Sequence, residues 1–143
     1  MTVPDAIQTV ASIATATGVA IAAWQLVVTK RQAQSQFEDS LAEQYRRIAA
    51  SLPLEALLGR PLDEGSLETN LRAFYDYFDL SNEQAFLAKG GRLRTEAWAN
   101  WREGIEQHLA RPAFAQAWER LSPDLDGSFD ELRALLPSKR RNN

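Results

Sequence analysis

The sequence contains no cysteine, one histidine and one methionine in 143 residues. Without cysteine the chain has no disulfide, no zinc thiolate site and no thiol nucleophile. With His108 as the sole histidine, two-histidine metal constellations are excluded, including the paired Glu-x-x-His pattern of di-iron helical bundles. An excess of positive charge is also missing: 16 Lys and Arg stand against 19 Asp and Glu, a net charge of -3. A nucleic acid partner would want a basic excess, so such a partner is not expected. Gly90-Gly91-Arg92 lacks both the Gly-Lys-Ser/Thr pattern and the preceding strand of a phosphate loop, and no cofactor is expected.

Charge is absent over one long stretch as well. Asp5 is the only charged side chain before Lys30, and Ala6 to Thr29 carries none. As a helix rising about 1.5 Å per residue, that stretch would be roughly 36 Å long, slightly more than the hydrocarbon core of a bilayer. Three readings compete for it: a cleaved signal peptide, a buried soluble helix and a retained transmembrane anchor. A signal peptide wants positive charge before its apolar run, whereas here Asp5 precedes and Lys30-Arg31 follow, although Ala20-Ile21-Ala22 imitates a cleavage site. A buried helix of this length would need a larger partner domain than the remaining residues, about 110, supply. The anchor is the reading adopted. Lys30, Arg31, Arg46 and Arg47 all lie on its C-terminal side, which places Met1 to Asp5 outside and the rest in the cytoplasm.

The segment is lukewarm in hydrophobicity because small and polar residues recur along it. Gln8, Ala11, Thr15, Gly18, Ala22, Gln25 and Thr29 follow one another at alternating steps of three and four, one continuous helical seam. Ile7, Val10, Ile13, Ile21, Trp24 and Val28 fall mostly on the opposite side, toward lipid. Small residues let helices approach closely in a membrane, and Gln or Thr can bond across the contact. The seam is therefore a candidate contact for a homo-oligomer or, in a higher assembly, the lining of a polar pore. The plainer alternative is a modest anchor whose Thr and Gln satisfy their own backbone.

Beyond Lys30 the pattern stays helical through Phe37, Leu41, Tyr45, Ile48 and Leu52, until Pro53 stops it. "PLEALLG" reads as a helical turn closed by Gly59. Ser66 is an N-cap for a long helix through Leu67, Leu71, Phe74, Phe78, Ala85 and Phe86, ended by Gly90-Gly91. Thr95 caps a helix carrying Trp98, Trp101, Ile105 and Leu109; Pro112 starts one with Phe114, Trp118 and Leu121; Ser128 caps the last, with Phe129, Leu132 and Leu136. No stretch alternates as a strand. The expected fold class is all-α: a transmembrane helix over 1–29, its helical extension over 30–52, a small cytoplasmic bundle of about four to five helices over 53–136, and a basic polar tail over 137–143. The three later tryptophans lie on apolar stripes and are read as core.

Chemistry-bearing constellations are few. Asp76, Asp79 and Glu83, at i, i+3 and i+7, share one helix face and could receive a cation or a basic partner; the alternative is an ordinary solvated face. No histidine, lysine or serine stands near them at acid-base or nucleophile spacing, so an enzyme is not expected. His108 reads as a lone surface histidine.

The order of a span ending in Lys-Arg, then "FEDSLAEQYR", "LPLEALLG", "FYDYFDLSNEQAFL", "W..W..GI" and "RPAFAQAW", resembles a group of small, uncharacterised bacterial proteins with one membrane helix and a helical cytosolic domain. The resemblance implies a bacterial inner-membrane protein and carries no catalytic residue with it. Two functions fit. One is a membrane-tethered interaction or sensing module, self-associating through its membrane helix, with lipid and a cytosolic protein as partners. The other is an oligomeric membrane effector or channel subunit of stress or phage-defence type, gated by the cytoplasmic domain.

Overall fold

The computed structural model describes residues 2–137, so six residues of the expected basic tail, 138–143, lie outside the described part. The described residues form six α-helices, one 3-10 turn and no strand. Helix α1 (Val3–Ser51) is followed by α2 (Leu54–Leu57), α3 (Glu64–Lys89), α4 (Thr95–Leu109), α5 (Pro112–Leu121), the turn Ser122–Asp124 and α6 (Asp130–Arg133). The contacts of the chain divide into two units, Met1–Phe37 and Glu38–Asn143.

The first unit is the N-terminal part of α1. By length and composition α1 is long and apolar enough to cross a membrane: its most apolar 18-residue window has a mean hydropathy of 1.6, and none of that window is buried. Val10, Ile13, Val19, Ile21 and Trp24 are all exposed, Trp24 to 69%. The hydroxyls here are satisfied locally. Thr9, Ser12, Thr15 and Thr17 each donate to the carbonyl four residues earlier, at 2.8 or 2.9 Å. Such back-bonding removes an unpaired donor from an apolar helix.

The second unit has a core of aromatic and aliphatic side chains. Phe74, Tyr77 and Phe78 from α3 meet Ile105 and Leu109 from α4, Ala113, Phe114 and Ala117 from α5, and Leu132 from α6. Rings pack edge to face: Phe74 on Phe114 at 5.2 Å, Tyr77 on Phe114 at 5.0 Å and Phe78 on Trp118 at 5.3 Å between centroids. This arrangement sets positive ring edges against negative faces. Helix α3 is central, packing against α4, α5 and α6. Tyr45, Ile48 and Leu52, at the C-terminal end of α1 and just beyond it, close onto the same core.

Polar side chains tie the connections to this core. Gln116 accepts from the Leu62 amide at 2.9 Å and donates to the Leu62 carbonyl at 3.0 Å. Arg111 donates to the Leu57 carbonyl at 2.7 Å, and Asn82 accepts from the Leu132 amide at 3.0 Å.

Three expected helix starts move. The cap of α3 is Asp63, not Ser66: the Asp63 carboxylate accepts from the Ser66 amide and hydroxyl at 2.9 and 3.0 Å. An ionised oxygen at the positive helix end outcompetes a hydroxyl three residues later. Thr95 is the first residue of α4 with Arg94 before it, and no side chain caps that end. Ser128 does not cap α6 either; the residue before α6 is Phe129, buried and left-handed at φ 63°. Phe86, expected on the apolar stripe of α3, is 62% exposed.

Candidate functional site

Between the C-terminal part of α1, α3 and α4 lies a cleft of about 340 Å³. Helix α1 contributes Ala42, Tyr45 and Arg46; α3 contributes Tyr77, Ser81 and Gln84; α4 contributes Trp101, Gly104, Ile105 and His108, with Asn100 at its edge. Residues three and four apart on each helix supply these walls, as a helix face facing a groove requires. The volume falls within the range of small-molecule sites, roughly 300–1,000 Å³.

Tyr77 is the most unusual group in the cleft. It is 2% exposed, and among the described residues its buried hydroxyl makes no hydrogen bond of ordinary geometry, with the Ser81 hydroxyl the nearby group that works against burial. Burial pushes its phenol far above the ordinary value, so the group remains an O–H donor. The neighbouring Ser81 hydroxyl donates to the Tyr77 backbone carbonyl at 2.8 Å.

His108 is half-buried among rings, with centroids 5.2 Å from Phe114, 5.5 Å from Tyr77 and 6.4 Å from Tyr45. The lone surface histidine expected from the sequence is thus a semi-buried one. Its Nδ1 lies 2.8 Å from the Gly104 carbonyl, and a carbonyl only accepts, so Nδ1 carries the proton. Burial holds the imidazole below its ordinary value against that bond, and the Arg111 charge adds to the lowering. In the resulting neutral ring Nε2 is an acceptor.

The electrostatics of the cleft are simple. Among the described residues Arg46 is the only charged one in its lining; it is exposed and makes no ion pair there. Among the described residues no Asp or Glu lines it. Trp101 is half-buried and forms part of this wall, apart from the core cluster that Trp98 and Trp118 pack against.

Next to the cleft, sharing Ala42, Asn100 and Trp101, is a shallower depression that holds the pair Glu38 and Arg94. Glu38 is 4% exposed and accepts from the Arg94 amide at 2.8 Å and from its Nε at 2.8 Å, with a third bond from Nη2 at 2.5 Å. Burial opposes ionisation of Glu38, but these bonds and the guanidinium charge outweigh it and hold the carboxyl below its usual range.

The residues singled out by spacing fall elsewhere. Asp76, Asp79 and Glu83 share a shallow groove with Gln44 and Ile48, on another part of the second unit's surface. Asp76 is engaged by Arg72 at 2.8 Å, whereas Asp79 and Glu83 are exposed. Among the described residues no three acidic or histidine side chains stand close enough to hold a metal ion. Along the seam, Gln8, Ala11, Thr15, Gly18, Ala22, Gln25 and Thr29 are all exposed, and the Thr15 hydroxyl is donated to Ala11.

The cleft residues carry no sequence signature. Tyr45, Tyr77 and His108 each sit inside an ordinary apolar or mixed stripe, and the cleft arises from how three helices fail to fill the space between them. The usable signal was Gly104, a glycine in the interior of an otherwise well-formed helix, a position that disfavours glycine by about 1 kcal/mol relative to alanine. No known family model, curated protein or solved structure matches the chain.

Proposed function

We propose that the protein is a single-pass, membrane-tethered sensing or interaction module of a bacterial inner membrane. The segment up to Thr29 is the anchor, the N-terminus is outside, and the second unit is a small cytoplasmic helical bundle. The observation that carries this reading is an 18-residue apolar window with none of its surface buried. Exposed apolar area on that scale is unfavourable in water and is stabilised by lipid. Lys30 and Arg31 at its C-terminal end support the orientation.

Self-association through the face from Gln8 to Thr29 is the second part of the proposal. Ala11, Gly18 and Ala22 permit close approach of a second copy, with Gln8 and Gln25 as the polar groups able to bond across it. Because Thr15 already donates within its own helix, the contact is a packing seam more than a polar pore lining.

Freedom from cysteine makes the topology directly testable. In intact cells, a membrane-impermeant maleimide should label Thr2→Cys, and should label Arg60→Cys only after lysis. Equal labelling of both before lysis would overturn the orientation. For the seam, the detergent-extracted full chain should have the mass of a defined oligomer, and Thr15→Leu with Gly18→Leu should reduce it to a monomer. A wild-type monomer overturns self-association and leaves the tether standing, while an oligomer unchanged by the substitutions moves the contact elsewhere.

A further inference from the structure

We propose that the cleft between α1, α3 and α4 binds a neutral, flat bicyclic lactam, a ring whose amide N–H and C=O lie side by side, held by the carboxamide of Gln84. The inference concerns the second unit alone and does not depend on the membrane reading.

The three helices leave one layer of the cleft unfilled. Helix α4 follows α3 after a short connection and runs back along it, whereas α1 runs the same way as α4: Glu38 meets Arg94 just before α4, and Tyr45 meets His108 near its end. Tyr45, Tyr77 and His108 form one aromatic layer, with ring centroids 6.5, 6.4 and 5.5 Å apart. One turn along, the same faces carry Ala42, Ser81 and Gly104. The Ser81 hydroxyl is turned back to the Tyr77 carbonyl of its own helix, and a Cβ built at Gly104 would meet nothing within 4 Å. Three small residues at one level, one from each helix, account for the space.

The next turn brings Gln84 level with Trp101, and Gln84 is the group that selects the ligand. It is 5% exposed and lines the cleft, and its carboxamide makes no hydrogen bond among the described residues. Unlike the Tyr77 oxygen, its amide atoms are not sealed off, and the surface they keep opens to the cleft. Native proteins rarely bury a carboxamide with its donors and acceptor all unanswered. Such a group sets a donor beside an acceptor, and it pairs through two parallel bonds with an edge that sets an acceptor beside a donor, as glutamine does on a base edge. A lactam presents that edge. Trp101, Ile105 and Tyr45 offer apolar faces to the rest of the ring. The buried groups, Gln84, Ser81 and the neutral His108, carry no charge, and Arg46 is exposed to solvent. A charge taken inward would be desolvated without a partner, so the ligand is neutral.

The test is calorimetric titration of the full chain in lipid nanodiscs, with empty nanodiscs as the blank. The probes are 2-quinolinone, its N-methyl derivative, which lacks the donor, and hypoxanthine, a lactam whose further ring nitrogens would be buried against apolar walls. One site per chain is expected for 2-quinolinone, with each of the other two weaker by about tenfold or more. Gln84→Met keeps a long side chain but neither hydrogen bond, and should bring 2-quinolinone and its N-methyl derivative to equal affinity. Gly104→Leu fills the open layer and should abolish binding of all probes. The probe comparison is made on the unaltered chain, so its result stands whether or not a variant folds. The proposal is overturned if the wild type shows no binding of 2-quinolinone above the blank up to about 1 mM. It is overturned equally if the N-methyl derivative binds as well, if Gln84→Met keeps the preference for the free N–H, or if Gly104→Leu binds as the wild type does. Tighter binding of hypoxanthine than of 2-quinolinone would assign the site to a nucleobase and overturn the apolar lactam.

Discussion

The N-terminal part of α1 and the whole of α3 are both long helices, and they are opposites in how they use their side chains. The first is richer in apolar residues yet has none of its most apolar window buried. The second is more polar, opening with Glu64 and closing with Lys89, yet buries nine residues, among them Phe74, Tyr77, Phe78 and Leu87. Burial within a protein therefore follows periodicity and ring size more than average hydropathy. An apolar helix without a protein partner is stable where the solvent is itself apolar.

The sharpest way to break the contrast is to put charge into the first region. Ile13→Arg with Val19→Arg should release the chain from membranes, since each arginine near the middle of a span costs about 3 kcal/mol on insertion scales. The denaturation midpoint of the second unit should stay unchanged. Membrane retention of the double variant would show that the exposed window is not the anchor.

The reciprocal experiment empties the core of the second region. Phe114 is fully buried and touches Phe74, Tyr77 and His108, so Phe114→Ala should lower stability by about 4 kcal/mol, read by chemical denaturation of the full chain in detergent. Membrane retention should not change.

A smaller effect is expected at the pair of buried Glu38 and half-exposed Arg94. Because the folded-state pKa of Glu38 lies below its ordinary value of 4.5, its contribution is fully present above that value and is lost as pH falls through the folded pKa. Wild-type stability should fall on acidification below about pH 4.5, and Glu38→Gln should be less stable at neutral pH by about 2 kcal/mol with a flatter acid limb. An identical acid limb in both proteins would assign the dependence to other carboxylates. Smallest of all, Asp63→Ala removes the cap of α3 and should lower the denaturation midpoint slightly, whereas Ser66→Ala, which leaves the amide bond to Asp63 in place, should lower it less.

What was legible in the sequence is local. The periods of Leu67, Leu71, Phe74 and Phe78, the stop at Gly90-Gly91 and the start at Pro112 report on neighbours within a turn or two, and the helices appear there. Gly91 adopts φ 69°, the left-handed geometry that lets the chain leave α3. The expectation of Ser66 as the cap failed because Asp63, also a good cap, stands one turn earlier, and charge decides between them. Non-local features were not legible. Glu38 meets Arg94 across 56 positions of sequence. His108 owes its semi-burial to Tyr45 and Phe114, on two other helices. Nothing in the stripe that holds Tyr77 says that its hydroxyl is buried, because that depends on the helices packed around it. The carboxylate row of Asp76, Asp79 and Glu83 is conspicuous in sequence for the reverse reason, since regular spacing along one helix face is a local pattern.

The central claim is that the uncovered apolar stretch of α1 is covered by a bilayer. It is tested most directly by extracting cell membranes with alkaline carbonate and following the full chain by immunoblot. The account predicts that the protein stays with the membrane pellet and is released only by detergent. Recovery in the detergent-free supernatant would contradict it.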